Sequence, residues 1–295
     1  MNPVADPATA DERPDLVTTL SGHAVPLRPR SALVLVLMTI AGLAMFCWPL
    51  LTHHTASGTA HVTDAPIIFA VTLPLLVFVI LAEFADGGMD SKALAILGVL
   101  SAVDAALRPT GGGTGGIETV FFLLILAGRV FGPGFGFVLG CTSLFASALI
   151  TAGVGPWLPF QMLCSAWIGM GAGLLPRGVR GTREVVMLIV YGVIAAYAFG
   201  ALMNLYTWPF LAGVDLGHHA NLAYVPTDSL LDNLHRFGVY TLVTSTGGWD
   251  TGRAITNAVA IAALGRPVLV VLRRAARRAS YAPLAERTPD DREDT

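Results

Sequence analysis

The sequence predicts an all-α integral membrane protein, and three observations carry the prediction. Hydrophobic residues make up 54% of the 295-residue chain and charged residues only 13%, whereas a water-soluble globule carries about a quarter charged residues. Mean hydropathy is +0.66. The apolar residues gather in long runs bounded by charged or glycine-rich joints, and most of the runs approach the ~20 residues that cross a hydrocarbon core of ~30 Å.

The net charge of −2 and pI near 6.4 conceal an uneven layout, because Lys and Arg collect at the ends of the apolar runs while the acids gather in the tails. That pattern does not imply nucleic-acid binding. Cys47, Cys141 and Cys164 all fall inside apolar runs without metal-ligand spacing. They read as small buried hydrophobes rather than a disulfide framework.

Taken in order, residues 1–31 are polar, Pro-rich and acidic in their first half. They have too few large apolar side chains to offset the entropy of ordering, so a disordered cytoplasmic tail is expected. No cleavable leader pattern precedes the first apolar run, which reads as a retained anchor. Runs at 32–51 and 65–82 form an extra N-terminal hairpin over residues 32–85. The loop between them holds His53, His54 and His61 without acids or cysteines at ligand spacing. These are interfacial histidines, not a metal site.

A six-helix membrane core follows over residues 92–272. Its first span, 93–107, carries Gly98, Ala102 and Ala106 at four-residue spacing, a face of small side chains that lets another helix approach closely. Asp104 lies near the Arg108 end of that span, placed to pair with the arginine or to reach headgroup water. Further spans are expected at 118–130, 134–152, 158–175, 184–206 and 254–272, the last kinked by Pro267. Eight spans result. The stretch 207–253 is an outer structured segment in which Ser229 to Val243 forms an amphipathic helix, with Leu230, Leu231, Leu234 and Phe237 grouped on one side. Residues 273–295 are a basic cluster followed by a charged tail.

With eight spans, Arg28, Arg30, Lys92, Arg129, Arg177, Arg180, Arg183, Arg273, Arg274, Arg277 and Arg278 share one side, and only Arg108, Arg236 and Arg253 the other. The positive-inside rule then puts both termini in the cytoplasm of a multi-pass plasma-membrane protein.

Three joints carry the chemistry. Arg108 to Glu118 holds five glycines, which permit left-handed backbone and close approach to a ligand. Arg108 and Glu118 flank this loop as a charge pair on the arginine-poor side, with Thr110 between them. No Gly-Lys-Ser/Thr follows, so the loop is not a nucleotide P-loop. Gly155 to Gln161 contributes Trp157, an interfacial anchor, and Gln161 at the start of the next span. Asn204, Tyr206 and Trp208 at the outer end of the seventh span, Trp249 and Asp250 before the last, and Asn257 within it add polar and aromatic groups at the same level. Apolar walls with a few convergent polar groups are what a small-molecule site needs. The third joint, Phe131 to Gly136, reverses the chain around Pro133 and holds its flanking spans as a tight antiparallel pair.

Arg108-Pro109, Gly128 with Phe131-Gly132-Pro133 and Gly136, and Gly155-Pro156-Trp157-Leu158-Pro159-Phe160-Gln161-Met162 followed by Gly169 together resemble the substrate-binding S component of energy-coupling-factor (ECF) vitamin transporters. The Gly-Pro-Trp-x-Pro-x-Gln-Met stretch looks closest to the cobalamin-type branch. The resemblance covers about Lys92 to Leu272, and the first two spans and both tails depart from it. It implies capture of a vitamin from outside by Arg108, Thr110, Glu118, Trp157, Gln161, Asn204, Trp208, Trp249 and Asn257. It also implies delivery with a membrane T component and two cytoplasmic ATPase subunits, so that ATP is used by the partners and no cofactor or metal is held by this chain. Gly98, Ala102 and Ala106 match the family's T-component interface, with the strict Ala-x-x-x-Ala pattern met by Ala102 and Ala106.

Two other classes compete. An intramembrane enzyme needs a Ser-His pair, a His-Glu-x-x-His helix or an Asp-rich metal motif inside the spans, and none is present. A self-contained secondary transporter is expected to show repeated halves with broken helices, and the chain has no such repeat.

Overall fold

The computed structural model describes residues 25, 29–51, 75, 89, 91–111, 114–211, 222–225 and 227–280. Among these residues the protein is all-helical, as the composition predicts. Its helices are α1 (Pro29–Leu51), α2 (Ser91–Leu107), α3 (Val120–Phe131), α4 (Pro133–Ile150), α5 (Leu158–Leu174), α6 (Thr182–Thr207), α7 (Leu230–Thr241) and α8 (Thr251–Ser280). Short 3₁₀ turns follow α2 and α6. Apart from residue 25, the expected tail up to 28, the expected span at 65–82 apart from residue 75, His53, His54 and His61, and the tail beyond 280 lie outside the described residues.

Five described helical runs are long and apolar enough to cross a membrane: Pro29–Cys47, Ser91–Gly111, Pro133–Ile150, Thr182–Thr207 and Leu230–Arg278. Helices α3 and α5 are shorter. With 12 residues, α3 is about 18 Å long and does not bridge a ~30 Å core by itself. It has no need to face lipid. From Val120 to Arg129 every residue of α3 is buried, with α4, α5, α6 and α8 packed around it. At its C-terminal end Phe131, Gly132 and Pro133 are buried too, so the non-helical Gly132 is sheltered by protein, the condition under which a membrane tolerates it.

The joint between α3 and α4 is a single residue, Gly132, with φ of 111°, a conformation that side-chain-bearing residues rarely adopt. Pro133 then occupies the first turn of α4, where its missing N–H leaves nothing unpaired. Helices α3, α4 and α5 meet where Gly128 and Gly136 both lie against the Gly169 carbonyl. A Cβ at any of the three would collide with backbone. The glycines of the predicted tight pair thus set a three-helix crossing as well as a turn.

Helix α1 lies against this core. Its Phe46 is buried and meets Phe160 edge-to-face at 5.0 Å and Trp167 at 5.8 Å. Gly42 leaves room for Leu163 and Trp167 of α5.

The sequence separates an amphipathic helix near 229–243 from a last span at 254–272. The structure joins them. Ser229 caps α7, its Oγ accepting from the Asp232 N–H at 3.2 Å. Leu242–Asp250 then continue as a π-helical stretch into α8, giving one helical run from Leu230 to Arg278. The wide register is supported by side chains five residues apart: Ser245 Oγ donates to Asp250 Oδ2 at 2.7 Å, and Thr251 Oγ1 to the Thr246 carbonyl at 2.6 Å. Pro267 lies inside α8 without ending it.

Candidate functional site

A polar constellation stands at the end of the bundle where α2 finishes and α3, α5 and α8 begin. Its hub is Arg253, two residues into α8. Its Nε donates to Glu118 Oε2 at 2.6 Å, its Nη1 donates to Asp250 Oδ1 at 2.8 Å, and its guanidinium lies 4.9 Å from the centre of the Phe199 ring. Asp250 is almost fully buried, and the space for its carboxyl comes from Gly200 on α6. The π-helical stretch is what aims this acid, because Ser245, Asp250 and Arg253 share one inward face through its wider turn. Such π segments recur at functional sites.

Alongside, Arg108 Nη2 donates to Gln161 Oε1 at 2.9 Å, joining the end of α2 to the first turn of α5. The structure thus brings Arg108 and Gln161 together, and Glu118 close by. The expected Arg108–Glu118 pair is not formed: Glu118 lies at the far end of the glycine-rich loop, where α8 offers Arg253.

That loop is pressed onto the π-helical stretch. Gly116, with φ of 78°, leaves no room for a Cβ against the Trp249 backbone, and Gly252 likewise packs against the Gly115 carbonyl. Gly116 is therefore required by close approach and by backbone conformation together, and Gly115, with φ of 58°, by conformation. The loop's first part is held by hydroxyls, since Thr110 and Thr119 both donate to the Leu107 carbonyl, at 2.5 and 2.8 Å.

The remaining sequence-predicted residues divide. Trp157 and Trp249 are exposed at this end, with the Trp157 ring folded over Gly155. Trp208 is fully buried, its Nε1 donating to the Leu222 carbonyl at 2.8 Å and its ring set among Tyr224 and Phe237. It fastens the outer segment to the bundle rather than lining an opening. The Nδ2 of Asn204 on α6 is buried without a hydrogen-bond partner. Asn257 is fully buried deeper in the bundle, near Gly192 and Ile125, and neither of its polar atoms is partnered among the described residues. Asp104 departs from expectation. It neither pairs with Arg108 nor reaches the surface: it is fully buried, and neither carboxyl oxygen has a hydrogen-bond partner among the described residues.

Sequence reasoning named Asp250 beside Trp249 but passed over Arg253 as a site residue. The signal was present, since Arg253 is one of only three arginines on the arginine-poor side. At the opposite end, Arg129 donates to Glu184 at 2.8 Å and to the Leu175 and Val179 carbonyls at 2.9 and 3.1 Å, while Arg273 reaches the same Glu184 oxygen at 2.6 Å. This buried cluster ties α3, the α5–α6 joint and α8 together. Among the described residues, no group of three His, Cys, Asp or Glu is placed to hold a metal.

The family of substrate-specific components of ECF transporters matches residues 92–271, from the start of α2 to near the end of α8. The chain belongs to this family. No curated protein and no solved structure matches it. As an S component it is a multi-pass membrane protein and a substrate-binding transporter subunit, a class that is not enzymatic. Helix α1 lies outside the matched region.

Proposed function

We propose that the protein captures a vitamin or related micronutrient from outside the cell and delivers it through an ECF-type ABC importer, with a cobalamin-like molecule as the favoured ligand. The observation that carries this reading is the meeting of Arg108, Gln161, Glu118, Arg253 and Asp250 at one end of the core. Charged groups that far inside a membrane protein are costly unless paired or ligand-bound, and they mark substrate pathways. Binding comes from that end, under the glycine-rich loop and beside Trp157 and Trp249. The Gly-Pro-Trp-x-Pro-x-Gln-Met stretch supports the cobalamin-type ligand.

Transport energy comes from partners: a membrane T component and two ATPase subunits, with no cofactor held by this chain. Gly98, Ala102 and Ala106 line an exposed face of α2, and none of the described residues lies within 4 Å of the Cβ position at Gly98. This face suits the T component. The arginine distribution supports a plasma-membrane location with both termini cytoplasmic, the ligand end outermost.

The test is equilibrium binding by the detergent-solubilised chain, without ATP, to cobalamin, its precursors and the other B vitamins. Tight binding of one of them is expected. Binding of none overturns the reading.

A further inference from the structure

Asp104 is the one fully buried carboxylic acid in the described residues that has neither an ion-pair nor a hydrogen-bond partner. It sits on α2 one turn before Arg108. Ser143 of α4 lies beside it, with its own hydroxyl unpartnered among the described residues. An ionised carboxylate in such a place is strongly disfavoured unless something neutralises it. The surrounding charges make this worse. Glu118 and Asp250 already share a single guanidinium, that of Arg253, while the hydrogen bond of Arg108 goes to the neutral Gln161. Acids therefore exceed cations at this end of the bundle, three to two. No cation from α2, α4 or the glycine-rich loop is bonded to Asp104.

We propose that Asp104 and Ser143 form the deep end of the ligand site and receive a nitrogen group of the ligand that presents N–H donors. The proposal rests on the reading of the Arg108 end as the binding site. A carboxylate there accepts only, and the adjacent hydroxyl either donates or accepts, so the pair is complementary to an N–H-bearing group and repels a carboxylate or phosphate. Such a group comes from two sources: an ammonium or protonated heteroaromatic amine, which neutralises the Asp104 carboxylate, or a neutral primary amide, whose N–H is accepted by the carbonyl oxygen of a protonated Asp104. Asp104 then sets specificity, since a buried polar group left unpaired by the wrong ligand strongly disfavours its binding.

The experiment measures binding of pyridoxamine, as a cationic probe whose ammonium carries N–H donors, and of nicotinamide, cyanocobalamin and cobinamide, as amide-bearing probes, by wild-type protein, Asp104→Asn and Ser143→Ala. For a cationic probe that binds wild type, Asp104→Asn is expected to weaken affinity by about 100-fold, and for an amide probe by about tenfold, because an asparagine oxygen still accepts from an amide. Ser143→Ala, which removes only a hydroxyl, should weaken either by about threefold. Thermal unfolding of the ligand-free variants should match or exceed wild type, which a purely structural role for Asp104 would not allow. Affinity within twofold of wild type in both variants overturns the assignment while leaving the capture function intact. Failure of wild type to bind any of the four probes or any other B vitamin overturns the capture function, and this inference with it.

Discussion

Arg253 and Glu118 are separated by 135 positions in the chain and meet at 2.6 Å, with both side chains largely withdrawn from solvent. The pair closes the glycine-rich loop onto the start of α8 and leaves Arg253 shared with Asp250. Replacing Glu118 with Gln removes one of the two negative partners. The expected result is a stability loss of about 1–3 kcal/mol together with a weaker affinity for the captured vitamin, read by thermal unfolding and titration calorimetry. Arg253→Lys should fall between wild type and Glu118→Gln, since a lysine keeps the charge but cannot hold both carboxylates in one planar fork. Unchanged affinity in both variants would remove this pair from the ligand site.

At the other end, Arg129→Ala strips Glu184 of one of its two cations and frees the Leu175 and Val179 carbonyls. Breaking a buried ion pair from one side costs about 3–5 kcal/mol, so a marked drop in Tm is expected. Vitamin affinity measured well below that Tm should be preserved, because the cluster stands at the opposite end of the bundle. A wild-type Tm would show that Arg273 alone satisfies the acid.

Two glycine substitutions should behave oppositely. Gly128→Ala drives a Cβ into the Gly169 carbonyl where α3 crosses α5. Overpacking of this kind costs about 1–3 kcal/mol or more, and reduced yield of folded protein is the expected sign. Gly98→Ala meets open space and should be neutral to slightly stabilising, since alanine favours the helix by up to about 1 kcal/mol. Equal effects of the two on thermal unfolding would contradict the packing described for α3, α4 and α5.

Ala102 faces outward on α2. Ala102→Leu should therefore leave the isolated protein folded and able to bind its vitamin, yet prevent co-purification with the T component, because a bulky side chain keeps a second helix from close approach. Retained co-purification would place the partner surface elsewhere.

Much of the core was legible because its signals are local. Apolar run length located α1, α2, α4 and α6 to within a few residues. Gly132-Pro133 announced the reversal between α3 and α4, and Ser229 announced the start of α7. The sequence overestimated α3 as a crossing helix, since an apolar run gives hydrophobicity but not its surroundings, and α3 is apolar because protein encloses it. The junction at 242–250 was illegible for a related reason. Gly247, Gly248 and scattered polar residues read as an interrupted segment, whereas Ser245–Asp250 and Thr246–Thr251 contacts continue the helix in a wider register.

The same division holds at the site. Sequence alone determined that this is a helical membrane protein, that charges are scarce and lie at its joints, and that Arg108, Glu118, Gln161 and the glycine-rich loop stand at joints expected on one side. Composition and short-range spacing suffice for that, because the membrane penalises every misplaced charge. Which charges meet was decided only by the tertiary structure. Glu118 turns to Arg253 instead of Arg108, Arg108 turns to Gln161, and Asp104 is left in the interior without a partner. Pairing between residues on different helices depends on how those helices cross and rotate, and no local pattern in the chain encodes that geometry.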